Sequence, residues 1–331
     1  MMELVWGLGQ LMAGWLILVA STAPIVWWLS RQAQPIARPN VPPTWGGIEI
    51  ILMFIGYLFI TLLASQPARQ LLDLPELPDG VPRSDAESNQ ISLITASLAF
   101  PFQLMFFSVL FRWRNPESRH AFGLFGSGIA HDILTGMRTW RWCTPMVIAA
   151  FGVPVLLGGL IQMKPDEHDL STMAENASPG MLALIIIQAA IVAPIVEELA
   201  FRGAILRSIA QNEAGCDVVY ASAIFLPVLG ASIPETLPEI INRFGSSAFL
   251  ILLMPWYLRI RRRHDVQTAA IWASSALFAA LHASVWPSPI PLFVLAMVLG
   301  RVTLASGSLL PPILIHAMFN SVSIVQILIL K

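Results

Sequence analysis

Long apolar runs constrain this chain more than any other feature of its sequence. A membrane-spanning helix needs about 20 mostly apolar residues. In the hydrocarbon layer every backbone N–H and C=O group must also be paired within the protein, which such runs achieve as helices. Runs near this length lie at 8–29, 46–65, 91–112, 143–163, 181–209, 267–285, 289–306 and 309–329. Two weaker runs, 216–231 and 248–260, leave the count open, so we expect an all-α polytopic transmembrane helical bundle of about 8–10 spans.

Composition agrees with a membrane protein and excludes several other classes. Hydrophobic residues make up 56% of the chain and charged residues 12%, whereas soluble domains carry roughly 25% charged residues. The mean hydropathy is +0.70. A net charge of −1 argues against nucleic acid as a partner. Cys143 and Cys216 are the only cysteines, so the sequence contains no disulfide framework and no cysteine-based zinc site.

Basic residues predict the orientation of the spans. The loop 113–142 and the segment 259–263 each carry four arginines, and short loops rich in arginine and lysine lie on the cytoplasmic side. The loops 66–90 and 164–180 are acidic, proline-rich or polar, and alternate with the basic loops as outer loops. Within the first basic loop, 123–140 is too short and too polar to span, so we expect an interfacial segment on the inner surface.

The run 181–209 contains three charged residues, which is unusual inside a span. Glu197, Glu198 and Arg202 follow one another within an otherwise apolar sequence, and each charge costs roughly 2.5–3.5 kcal/mol at the centre of a membrane helix. Glu198 and Arg202 are four residues apart and can form an ion pair on one face of the helix. Glu197 points about 100° away around the helix and has no partner in this segment. An unpaired carboxylate in a span indicates a functional site.

Three further polar residues lie in later spans. His282 ends the sequence Phe278-Ala-Ala-Leu-His282 in the run 267–285, and His316 and Asn320 lie in the last span. The four-residue spacing puts His316 and Asn320 on one helix face, where both can grip one small group. Taken one at a time, such residues are more often hydrogen-bonding links between helices. Their concentration in an otherwise apolar bundle favours a shared site.

These residue types suit peptide hydrolysis by activated water. A desolvated glutamate can take a proton from water, especially when a histidine shares that water, and His316 with the Asn320 amide can donate to an oxyanion. The alternative is a zinc site with Glu197, His282 and His316 as ligands. No HExxH sequence is present and asparagine is a poor zinc ligand, which favours the metal-free chemistry.

The three motifs together resemble the CPBP family. Glu197-Glu198-x-x-x-Arg202 followed by Gly203, then Phe278-x-x-x-His282, then His316-x-x-x-Asn320 are similar to the signature motifs of CAAX prenyl proteases of type II and of bacteriocin-processing or Abi-like membrane proteins. The resemblance covers 181–322 and implies a multi-helix intramembrane endopeptidase.

By this resemblance, Glu197 activates the water, His282 assists it, and His316 with Asn320 forms the oxyanion site. Glu198, Arg202 and Phe278 give structural support. The sequence departs from the family in the longer separation between its first two motifs and in its additional N-terminal spans. We therefore predict N-terminal transmembrane helices with an inner interfacial segment over 1–165, and a CPBP-like protease core over 181–330 with an insertion at about 212–266.

The function that follows is cleavage of a membrane-associated protein or peptide, of CAAX type or bacteriocin type, by a multi-pass protein of the cell (inner) membrane. Its expected partners are this substrate and the lipid bilayer, and it needs no cofactor unless the zinc-dependent form applies. Two other classes stay open. A non-catalytic membrane scaffold or immunity protein would use the polar cluster as a hydrogen-bond network, and a transporter would use it as a proton relay. Interrupted helices in matching halves, which would favour a transporter, are not evident in the sequence.

Overall fold

The computed structural model describes residues 45–74, 83–114, 128–160, 173–174, 177–229 and 237–329. Within these residues every regular element is a helix and none is a strand, which confirms the all-α helical bundle. Four of the described helices are long and apolar enough to cross a membrane: Gly47–Leu71, Ala86–Arg114, Pro179–Ile209 and Pro289–Ser306. The protein is therefore an integral membrane protein. The predicted span 8–29 lies outside the described residues.

The first two described helices pair with each other. Helix α1 (Gly47–Leu71) and helix α2 (Asp85–Arg114) extend beyond the predicted runs 46–65 and 91–112. Gly56 of α1 lies against the Phe106 ring so closely that no side chain fits there. Most other apolar side chains of α1 are exposed, as expected for a helix that faces lipid.

Helix α3 (Ile129–Leu160) begins inside the predicted basic loop 113–142. It runs without interruption for 32 residues, a length of about 48 Å at 1.5 Å per residue. The described part of the predicted interfacial segment 123–140 is thus the beginning of the helix that contains the predicted span 143–163, rather than a separate element. Gly136 allows this first part to approach Leu314 in the last helix.

Helix α4 (Pro179–Ile209) carries the charged motif. Its N-terminus is capped by Ser178, whose side chain accepts a hydrogen bond from the Met181 amide at 3.3 Å. Two stretches, Gln188–Val192 and Leu199–Ile205, are π-helical. Such wide turns are rare and are frequent at functional sites.

The uncertain region after α4 forms two helices of different length. Helix α5 (Glu213–Phe225) has 13 residues and is about 20 Å long, which is short of a 30 Å hydrocarbon layer. Helix α6 (Leu237–Arg262) has 26 residues and includes the predicted run 248–260. Neither helix is among the four that satisfy both the length and the hydropathy of a span.

The last three helices are α7 (Val266–Ala280), α8 (Pro289–Ser306) and α9 (Leu310–Ile329). The predicted run 289–306 coincides with α8, whereas the run 267–285 extends beyond the end of α7. Buried alanines line α7, and small residues let membrane helices approach closely. The main core therefore forms where α7 packs against α4, α5 and α8, which places the second half of α4 at the centre of the bundle.

Candidate active site

The site forms around the middle of α4. Glu197 and Glu198 end a six-residue α-helical stretch, Ala193–Glu198, that separates the two π-helical stretches. Glu198 is completely buried, whereas Glu197 retains 28% side-chain exposure. Two adjacent carboxylates thus occupy different environments.

Glu198 is the acceptor of two buried hydrogen bonds. Arg202 donates from Nη1 to Glu198 Oε1 at 3.0 Å, and His316 Nδ1 lies 2.9 Å from the same oxygen. The predicted pairing of Glu198 with Arg202 is confirmed. Because a carboxylate only accepts hydrogen bonds, Nδ1 of His316 must carry a proton. The ring of His316 is therefore fixed with its other nitrogen, Nε2, free for a second interaction.

That second nitrogen faces Glu197. The distance from His316 Nε2 to Glu197 Oε2 is 3.8 Å, which exceeds a hydrogen-bond length. Glu197 Oε2 is buried and has no hydrogen-bond partner among the described residues. Buried polar atoms are almost always hydrogen-bonded to protein or to ordered water. This oxygen can therefore accept a hydrogen bond from a small polar molecule such as water.

His282 lies just beyond the end of α7, in contrast to its predicted place inside a span. The helix ends at Ala280, and His282 Nδ1 lies 2.8 Å from the carbonyl oxygen of Phe278. A carbonyl only accepts, so Nδ1 donates and Nε2 is left free. The side chain thereby satisfies one of the carbonyls that a helix leaves unpaired at its C-terminus.

Asn320 is held by the backbone of α4. Its amide nitrogen donates to the carbonyl oxygen of Ala189 at 2.8 Å, and Ala189 belongs to the first π-helical stretch. The amide group has two N–H donors, so one remains for another acceptor. Asn320 also lies one turn after His316 on α9, as its spacing predicted.

Phe278 joins these groups from within the core. Its ring centroid lies 4.8 Å from that of His282 and 5.9 Å from that of His316, and the Arg202 guanidinium lies over it at 4.6 Å. Phe278 thus contacts both histidines and Arg202. His316 lies near Glu197 and Glu198, so six of the seven residues singled out from the sequence meet in one region, and Asn320 lies one turn further along α9. The role of each stays a prediction.

The sequence left a zinc site with Glu197, His282 and His316 as the alternative. The described residues contain no group of three or more His, Cys, Asp and Glu side chains placed to hold a metal ion. Glu197, His282 and His316 are all among them, so in this arrangement they do not form a three-ligand site.

Several residues near the site were not singled out from the sequence. Gln188 is buried and donates to Ser97 of α2 at 2.6 Å. Trp45 donates to the carbonyl oxygen of Ala204 at 3.1 Å, in the second π-helical stretch. Gln188 could have been found by the argument used for the histidines, since it is a polar residue in an apolar run. Trp45 carries no such signal.

One known family matches the C-terminal region. Residues 179–259 and 247–322 match the model of the Rce1-like family, described as type II CAAX prenyl endopeptidase Rce1-like. The C-terminal region is therefore similar to this family. This match includes all seven residues of the three motifs and confirms the resemblance to the CPBP family seen in the sequence. The family implies an intramembrane endopeptidase of CAAX type that acts on a membrane-associated protein or peptide. Searches of curated proteins and of solved structures found no match.

Proposed function

We propose that this protein hydrolyses a peptide bond of a membrane-associated, CAAX-type protein or peptide by means of a water molecule that Glu197 activates. The observation that carries the proposal is the Glu197 carboxylate, whose buried Oε2 has no hydrogen-bond partner among the described residues and lies 3.8 Å from His316 Nε2. A general base must reach the proton that it removes directly or through one water. A water bound at Oε2 satisfies this requirement.

Glu197 and His282 carry the acid–base chemistry. Glu197 removes a proton from the water, and the hydroxide adds to the substrate carbonyl carbon to give a tetrahedral intermediate. His282 binds the same water through its free Nε2, since its Nδ1 is held by the Phe278 carbonyl. The proton on Glu197 passes to the leaving amine, and the C–N bond breaks.

Asn320 and His316 stabilise the oxyanion of the intermediate. The second N–H of the Asn320 amide is available for this, because the first is held by Ala189 at 2.8 Å. His316 donates from Nε2 when that nitrogen carries a proton, while Glu198 keeps its Nδ1 in place. Preorganised donors of this kind typically contribute about 10²–10³ in kcat. Glu198, Arg202 and Phe278 hold this arrangement without touching the substrate.

One observation favours a second candidate, the non-catalytic scaffold or immunity protein. Asn320, His282 and Glu198 each already make a hydrogen bond within the protein, as members of a structural network would.

A bacteriocin-type peptide is the other substrate class that fits a protease of this family.

The substitution Glu197→Gln separates these functions, because it preserves shape and removes the base. We would reconstitute the wild type, Glu197→Gln and the control Glu213→Gln, an exposed carboxylate of α5, into liposomes. Cleavage would be followed on a farnesylated CAAX peptide, its unprenylated counterpart and a bacteriocin-type leader peptide, with thermal unfolding measured on the same samples. We expect the wild type and Glu213→Gln to cleave, and Glu197→Gln to unfold normally but lose at least about 10²-fold in rate. Absence of cleavage by all three proteins, with equal stability, would favour the scaffold.

A further inference from the structure

Helix α2, which precedes the Rce1-like region, reaches the site through one hydrogen bond. Gln188, at the start of the first π-helical stretch, donates from Nε2 to Ser97 Oγ of α2 at 2.6 Å. The next residue, Ala189, accepts the hydrogen bond from Asn320 at 2.8 Å. Consecutive residues of one unusual turn are therefore bound on one side by α2 and on the other by a residue of the site.

The turn between them has a local cause and distant partners. π-helical residues make up well under 1% of residues in proteins, and Pro194, just after the stretch Gln188–Val192, cannot donate the hydrogen bond that a regular helix would direct to the Ala190 carbonyl. The proline favours an irregular turn, and the hydrogen bonds of Gln188 and Ala189 hold its geometry. One residue more or less in a turn rotates everything that follows by about 100°. If this stretch closed into a regular α-helix, the Ala189 carbonyl and Glu197 would change direction relative to Asn320 and His316.

We infer that Ser97 and Gln188 are positioning residues that keep the Ala189 carbonyl directed at Asn320, so that helix α2 takes part in forming the oxyanion site. The inference rests on the proposed function of Asn320. Neither side chain touches the substrate. Ser97 and Gln188 act on the site through the π-helical turn Gln188–Val192. Full activity therefore requires α2, a helix outside the Rce1-like region.

The same pair of helices offers a matched control. Gln103 donates to Thr61 Oγ1 at 3.0 Å, which links α2 to α1. Both hydroxyls also donate to the carbonyl four residues earlier, Thr61 to Tyr57 at 2.8 Å and Ser97 to Leu93 at 2.9 Å. Ser97→Ala and Thr61→Val each remove one hydroxyl that accepts from a glutamine between membrane helices. Only the first of these glutamines lies next to the Ala189 turn.

The first readout is independent of activity. Hydrogen exchange of peptides covering residues 185–195 would be compared in the wild type, Ser97→Ala, Thr61→Val and Ser97→Thr, which retains the hydroxyl. We expect faster exchange in Ser97→Ala alone. Unchanged exchange in Ser97→Ala, or an equal increase in Thr61→Val, would overturn the inference.

The second readout is the rate of cleavage of the farnesylated CAAX peptide. Interhelical hydrogen bonds in membranes are worth about three- to twentyfold in an equilibrium, so we expect Ser97→Ala to lower kcat by about that factor. KM should stay unchanged, because the oxyanion forms only in the transition state. Ser97→Thr should restore the rate, and Thr61→Val should leave it unchanged.

A double-mutant cycle tests the route through Asn320. In an Asn320→Ala background, Ser97→Ala should have no further effect on kcat, whereas independent effects would multiply. Multiplying effects would overturn the inference and leave the proposed function intact. If Asn320→Ala cleaves as fast as the wild type, or the wild type cleaves nothing, the proposed function fails. Hydrogen exchange alone then decides whether Ser97 holds the turn.

Discussion

Removing either partner of the buried Glu198–Arg202 pair should destabilise the protein much more than removing both. The two side chains retain 0% and 2% exposure and are joined at 3.0 Å. Breaking a buried ion pair typically costs about 3–5 kcal/mol, because one charge is left without a counterion. Glu198→Gln leaves the Arg202 guanidinium in the core, where the partly exposed Glu197 is the remaining acidic neighbour. In the double variant Glu198→Gln, Arg202→Met both charges are absent, and replacing such a pair by neutral residues is often neutral or stabilising.

The assay is thermal unfolding in one detergent, with the four members of the cycle measured side by side. Unfolding entropy of about 2.1 cal/mol/K per residue converts a loss of 3–5 kcal/mol into a fall in Tm of about 4–7 °C for a chain of 331 residues. We expect this fall in each single variant, and a Tm within about 2 °C of the wild type in the double variant. Glu197→Gln serves as the control, because it changes the neighbouring carboxylate without breaking the pair. If the losses in the two single variants simply add in the double variant, the side chains do not act as a pair and the reasoning is wrong.

Three further predictions concern other parts of the molecule. Arg261→Met should lower the stability by about 1 kcal/mol or less, because Arg261 makes exposed ion pairs with Asp217 and Glu213. Hydrogen bonds from Arg261 hold the pKa of Asp217 below its usual value. In the wild type the stability that this ion pair contributes is therefore present above about pH 4 and is lost as pH falls through the lowered pKa. Unfolding of the wild type and Arg261→Met is measured at pH 7 and pH 3, and an equal loss of stability at the two pH values would contradict the prediction. Gly245→Val should cost about 1–3 kcal/mol of unfolding free energy, since even a Cβ atom at this position would lie 2.6 Å from the Trp286 ring. Gly152→Val, at a helical glycine whose Cβ would meet no atom within 4 Å, tests whether loss of any glycine has the same effect. A zinc chelator should leave peptide cleavage unchanged, because in the proposed mechanism Glu197 activates the water without a metal ion; activity lost with the chelator and restored by zinc would refute this.

The features that sequence could predict are those that depend on local spacing. The run 289–306 appears as a helix with the same bounds, because a long apolar sequence has few alternatives in a membrane. The pairing of Glu198 with Arg202 followed from their four-residue separation and is present at 3.0 Å. The resemblance of the C-terminal region to this family was also recognisable, because each of the three motifs is a short local sequence.

Other features depend on contacts between distant segments and carry no local signal. The second π-helical stretch of α4, Leu199–Ile205, contains no proline and lies in a sequence whose apolar run predicts a regular helix. The carbonyls of Ala189 and Ala204 are bound by Asn320 and by Trp45, which lie far away along the chain. His282 was predicted inside a span because its neighbours are apolar, but α7 ends two residues earlier. Hydropathy reports where apolar residues lie and does not reveal which backbone groups are already bound.

The unequal exposure of the two adjacent glutamates has a consequence for chemical intervention. Glu198 retains 0% side-chain exposure and Glu197 retains 28%, although both carry the same functional group. A small apolar electrophile that enters the bundle, such as a hydrophobic carbodiimide, can approach Glu197 but not Glu198. Helix packing therefore leaves only one of two chemically identical carboxylates available to a covalent ligand. A covalent inhibitor would not have to distinguish the two glutamates by their reactivity, because burial already protects Glu198.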